Sequence, residues 1–167
     1  AGSRLLVQES VEERFLGKLR ARMDNLRVGS PLDKSMDIGA LVDPVQRQRI
    51  HGLVESAREE GCTIYQPAGC EMPADGSWFP PTLITGASTS AGIAQTEVFG
   101  PVLVAMSFRT PAEAIQLANN TVYGLAACVW SESISLALDV APQIKAGVVW
   151  INTANQFDAA CGFGGYK

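Results

Sequence analysis

The sequence holds a single histidine, His51, and only four cysteines among its 167 residues. Cys62, Cys70, Cys128 and Cys161 lack the close paired spacing of a zinc site and are too few for a disulfide scaffold, so a reducing, cytoplasmic setting is the default expectation. No apolar run approaches the roughly 20 residues needed to cross a bilayer, so no membrane is expected as a partner. Ala1 opens directly on a strand-like segment, without a charged leader and apolar targeting core, and no address is expected in these residues. Basic residues number 13 against 17 acidic ones, a formal charge of -4 spread along the chain. That balance offers no basic face for phosphate backbones and argues against nucleic acid. With 47% hydrophobic and 18% charged residues, the chain is able to bury one good core and fits one domain.

What is present is an alternation of strand and helix signals. Residues 3–8 read as a strand, after which Ser10-Val11-Glu12-Glu13 reads as a capping box opening a helix with Val11, Phe15, Leu19, Met23 and Leu26 as its apolar stripe. Asp43-Pro44 starts a second helix that stops at Gly61, with His51 inside it as a solvated or half-buried residue. Residues 62–66 read as a strand and 67–76 as a surface loop, while Pro80-Pro81 admits only edge or irregular pairing before 82–85. A strongly apolar strand over 101–108 leads to Thr110-Pro111-Ala112-Glu113, which caps a helix reaching Asn119-Asn120. A strand over 125–130, a helix over 133–144 distorted by Pro142, and a strand over 147–152 complete the pattern. Cys62 and Cys128 fall in the apolar runs and read as small core residues.

Continuous apolar strands separated by amphipathic helices predict an α/β fold, a mostly parallel twisted sheet with helices on both faces. Ligands in such sheets bind beyond the carboxyl ends of strands, here after Val7, Phe108, Trp130 and Ile151. A separate signal is the run Thr96-Glu97-Val98-Phe99-Gly100-Pro101. If that segment is extended, alternation sends Glu97 and Phe99 to one face, a carboxylate for a sugar diol beside a flat ring for a heterocycle. The competing reading is an ordinary turn ended by Gly100-Pro101, with Phe99 in a core and Glu97 in water.

Six ordered stretches carry a resemblance to the aldehyde dehydrogenase superfamily: 1–4, 29–33, 95–102, 118–127, 147–152 and Gly162-Phe163-Gly164-Gly165-Tyr166-Lys167. The resemblance implies that 1–167 is the C-terminal portion of a catalytic domain of that type, truncated. It places the nucleophilic cysteine just before Ala1, with the dinucleotide-binding glycine turn, the general base and the oxyanion asparagine further upstream. The final segment that docks on a partner subunit would follow Lys167. No catalytic residue is then expected within the chain, which alone would be inactive. Glu97 matches the family glutamate that accepts hydrogen bonds from the nicotinamide ribose, and Phe99 the ring beside the nicotinamide. Phe157 and Phe163 match aromatics that line the aldehyde tunnel, although each also suits a ring that anchors a long loop on the core. Asn152 is expected to brace that loop.

The full protein is then expected to oxidise a small-molecule aldehyde to an acid through a cysteine thioester, with NAD or NADP, as a homo-oligomer. Residues 159–162, Ala159-Ala160-Cys161-Gly162, stand where many members carry a proline. The wording of 5–9, 79–83 and 136–142 looks most like the sixteenth aldehyde dehydrogenase family, whose members sometimes lack the nucleophile. That likeness makes a non-catalytic scaffold binding protein partners the alternative. Since Cys161 has no neighbouring base in sequence, Cys161→Ser in the full-length protein should leave aldehyde turnover within about twofold of wild type. Steady-state kinetics on both proteins check it.

Overall fold

The computed structural model describes residues 2–167, so Ala1 of the first matching stretch lies outside the described residues. The chain divides into two compact units, 2–107 and 108–167.

In the first unit β1 (Arg4–Gln8), β2 (Thr63–Tyr65), β3 (Thr82–Thr85) and β4 (Val102–Phe108) form a sheet in the order β1-β4-β3-β2. β3 and β4 run parallel, with Leu83 opposite Leu103 and Ile84 opposite Val104. β2 adds antiparallel, pairing Tyr65 with Leu83 and Ile64 with Ile84. Since successive side chains point to opposite faces, the register sorts these rows into two layers. Ile84 and Val104, with Val102 and Met106, pack against Ile50, Val54 and Ala57 of α2 (Pro44–Glu59). Leu83 and Ala105 pack on the other face against Leu16 and Met23 of α1 (Glu9–Met23). Helices therefore cover both faces, and for that reason the central strands are apolar on both faces at Leu83-Ile84 and over 102–106.

Three local expectations are corrected. α1 begins at Glu9 with Gln8 at its N-cap position and no side-chain capping bond, so Ser10 lies inside the first turn and is not a cap. Phe15 is 44% exposed, and Leu16 takes the inward place. A strict spacing of four drifts about 40° per step around a helix of 3.6 residues per turn, whereas Leu16, Leu19 and Met23 step by three and four and hold one face, with Leu26 packing on the same cluster from beyond the helix end. β3 is an internal strand despite the prolines before it. Pro80 and Pro81 stop short of the ladder; the Thr82 N–H donates to the Pro101 carbonyl at 2.8 Å and its hydroxyl donates to the Pro80 carbonyl at 2.9 Å.

In the second unit β5 (Ala126–Val129) and β6 (Val148–Ile151) pair in parallel. α4 (Pro111–Asn119) carries the expected cap: the Thr110 hydroxyl accepts from the Glu113 N–H at 3.2 Å, and the Glu113 carboxylate accepts from the Arg109 N–H at 2.8 Å. α5 (Ile134–Val140) runs into a 3-10 turn, Ala141–Gln143, that places Pro142 where an α-helix would lose a bond. Cys128 is exposed, contrary to the core expectation, because alternate residues of β5 point away from the packed side. Cys62 is buried as expected, and that burial raises its thiol pKa. No helix among the described residues is long and apolar enough to cross a membrane.

The two helix starts make opposite expectations. Asp43→Ala removes the acceptor of the Gln46 N–H and should cost about 1 kcal/mol, whereas Ser10→Ala should stay within about 0.5 kcal/mol. Denaturant unfolding of the two variants checks the difference.

Candidate functional site

The corner at residues 97–100 is set by one buried side chain. Val98 is 1% exposed and belongs to the α2-side core, so its two neighbours are driven outward: Glu97 is half-buried and Phe99 is 70% exposed. Phe99 is therefore not a core ring. Nor is the segment extended, for Phe99 sits at φ 58° in the left-handed region. The carboxylate and the ring flank a buried valine across a corner, so strand alternation is not what presents them. A bulky residue in that region costs roughly 1–3 kcal/mol and persists only where its surroundings hold it.

α2 holds it in two successive turns. The Asp43 carboxylate accepts from the Gln46 N–H at 2.6 Å, fixing the first turn. The Gln46 side-chain amide then donates to the carbonyls of Val98 and Phe99 at 3.0 and 3.1 Å. One turn on, the fully buried Ile50 lies where a Cβ on Gly100 would overlap its Cδ1, so any larger residue there would require the Ile50 side chain to shift within the core. The Gly100 carbonyl accepts from the Val102 N–H at 2.8 Å as the chain enters β4. Gln46 was not singled out by the sequence, because no local pattern ties it to a segment 52 residues away.

The second candidate segment is tied at both ends. Asn152, at φ 53°, accepts from the Ser131 N–H and donates to the Ser131 carbonyl, both at 2.9 Å, the bracing role expected of it. The Trp150 indole donates to the Gln156 carbonyl at 2.9 Å, closing the loop over the end of β6. Phe157 then meets Trp150 edge to face at 5.6 Å and Phe163 at 5.1 Å. The structure thus brings Phe157 and Phe163 together as part of a three-ring cluster, with both phenylalanines at least half exposed and Trp150 partly buried beside them. Such edge-to-face pairs are each worth about 0.5–1.5 kcal/mol.

Beyond the rings, the chain returns along glycines that leave no room for a side chain. A Cβ on Gly147 would overlap the Gly164 carbonyl oxygen. The Tyr166 N–H donates to the Gly124 carbonyl at 2.9 Å, and the Lys167 ammonium donates to the carbonyls of Asn119 and Thr121 at 3.2 and 2.6 Å. Asn119 also accepts from the Lys145 N–H at 2.7 Å and donates to the Gln143 carbonyl at 2.8 Å. Cys161 is exposed in a turn whose N–H donates to the Asp158 carbonyl at 3.0 Å. Among the described residues, no group of three or more His, Cys, Asp or Glu side chains is placed to hold a metal ion.

Gly147→Ala should force the 162–166 segment off its seat, costing about 1–3 kcal/mol and speeding proteolytic nicking near Phe163. Unfolding midpoints and limited proteolysis of the variant check both effects.

The whole of residues 1–167 matches the aldehyde dehydrogenase family model. An aldehyde dehydrogenase of Agaricus bisporus is 38% identical over 167 residues, covering 100% of this chain and 33% of its own length. One from Vibrio cholerae is 40% identical over 169 residues, covering 99% and 33%. A crystal structure of betaine aldehyde dehydrogenase from Staphylococcus aureus in complex with NAD+ superposes with a TM-score of 0.94 at 40% identity, over 100% of this chain and 34% of that one. The chain therefore spans about a third of the length of these relatives. Match of the family model from end to end, with relatives at this identity over the whole chain, places the chain in the aldehyde dehydrogenase family.

Proposed function

We propose that the protein carrying this chain is an NAD(P)-dependent aldehyde dehydrogenase, and that these residues supply its nicotinamide-ribose contact and part of its aldehyde passage. The observation that carries this reading is the corner in which Glu97 and Phe99 flank the buried Val98 and are held outward by α2. A ribose diol presents two donors, and a carboxylate accepts both. The exposed ring beside it offers the flat apolar surface that a nicotinamide ring packs on. These residue types fit the group, and NAD is the cofactor bound in the Staphylococcus aureus relative. When bound, it supplies the hydride acceptor of the oxidation.

The part played by these residues is positional. Holding the ribose limits where the nicotinamide ring can lie, which gives a close-approach geometry at no further ordering cost. Phe157, edge to face with both Trp150 and Phe163, completes with them an apolar wall that strips water from an aldehyde before attack. The nucleophile that forms the thioester, the general base and the dinucleotide-binding turn belong to the family's preceding portion, so the 167 residues alone are proposed to be inactive. Free thiols at Cys62, Cys70, Cys128 and Cys161 suit a cytoplasmic protein. Assembly as a homo-oligomer follows the family habit.

The second reading is a non-catalytic scaffold binding protein partners, carried by the sixteenth-family wording of 5–9, 79–83 and 136–142. The two readings part on one variant in the full-length protein. Glu97→Gln removes one charge-assisted acceptor, worth about 1.5–3 kcal/mol, and should lower nucleotide affinity or hydride transfer roughly ten- to a hundredfold with the fold intact. Dehydrogenase kinetics and nucleotide titration on both proteins decide it. A wild type that neither binds nucleotide nor oxidises aldehydes favours the scaffold, and unchanged constants in the variant remove Glu97 from the site.

A further inference from the structure

We infer that Gln46 is a positioning residue for the cofactor corner, acting through the backbone of Val98 and Phe99 and not as a ligand; this rests on the proposed role of Glu97 and Phe99. Its amide nitrogen donates to two consecutive carbonyls at 3.0 and 3.1 Å, a geometry that fixes the peptide between them. That peptide joins the buried Val98 to Phe99, whose φ of 58° is a conformation that bulky side chains avoid. One side chain therefore meets the backbone at the point where it is strained.

The anchor itself is rigid. Gln46 lies in the first turn of α2, where the Asp43 carboxylate accepts from its N–H at 2.6 Å, and Ile50, one turn further along the same face, is wholly buried beneath Gly100. The bond to the Val98 carbonyl is partly buried, where water is a poorer substitute, and the bond to the Phe99 carbonyl is exposed. Without it, two carbonyls lose their donor and Phe99 loses the restraint that keeps it left-handed. Glu97, one residue before Val98, would then sample directions in which its oxygens miss a diol. Core packing of Val98 does not require Gln46, and the effect should stay local.

The test uses the full-length protein. Gln46→Leu keeps the bulk and deletes the donor; Gln46→Lys keeps a donor at similar reach. In the nucleotide-free protein, amide exchange at Val98–Val102 should quicken about tenfold in Gln46→Leu, with exchange in β3 and α2 near wild type. The dissociation constant for NAD should rise about tenfold while the aldehyde KM moves less than about twofold, and Gln46→Lys should recover most of both changes. Wild-type exchange at the corner in Gln46→Leu overturns the inference, as does a lysine variant no better than leucine. A corner that loosens while Gln46→Leu and Glu97→Gln both bind NAD like wild type would leave the anchoring intact and overturn the cofactor role assigned to the corner.

Discussion

β3 and β4 are the constraint on which residues 2–107 depend. Leu83 and Ile84 are fully buried, as are Val104 and Ala105 to within 2%. Neighbouring residues on one strand therefore face opposite layers, and each layer needs its own helix. α1 supplies one and α2 the other. Once α2 lies against Ile84, Val102 and Val104, its N-terminal turns necessarily run beside the chain that leads into β4. The 97–100 corner is the part of that approach touching α2, so packing in the core and presentation of Glu97 and Phe99 share the same contacts, Val98 and Ile50 above all.

Much of this architecture can be read from the sequence because its signals are local. Asp43-Pro44 and Thr110-Pro111 combine an acceptor at the cap with a proline where no N–H is needed, and both open helices where expected. Ser10-Val11-Glu12-Glu13 has the same form and does not cap, because Gln8 ends β1 and leaves the helix to begin at Glu9 with no connecting residue. A local pattern states a preference; how tightly strand and helix are joined decides whether it is used. The prolines at 80 and 81 mislead in a similar way, since they restrict only the positions they occupy and Thr82 resumes the ladder at once.

The corner's residue types were visible in the sequence and its geometry was not. Glu97 and Phe99 stood out as a pair, yet extended alternation was the wrong mechanism, for a positive φ at phenylalanine leaves no trace in a sequence that has Gly100 next to it. The bonds that support such a conformation come from far along the chain, as with Gln46, and only the fold shows them. The same holds for Asn119, whose side chain ties residues 143 and 145 together and whose carbonyl receives Lys167. The stretch 118–127 looks like a recognition motif, and within residues 108–167 its first asparagine works as a structural joint.

Both candidate segments rely on one device: a non-glycine residue with positive φ whose surroundings are tied by amide hydrogen bonds. At Phe99 the tie is the side chain of Gln46; at Asn152 it is the residue's own side chain bonded to Ser131. Glycine would adopt either conformation without strain, but it would carry neither an aromatic ring nor an amide, and it would add freedom to the segment that must hold still. Keeping a full side chain there costs about 1–3 kcal/mol and needs compensating bonds. In return, the direction in which Glu97 and Phe99 project is tied to α2, and the path into the Phe157–Phe163 ring pair is tied to β6. That coupling of candidate side chains to regular elements suits the proposed task of holding a cofactor in place.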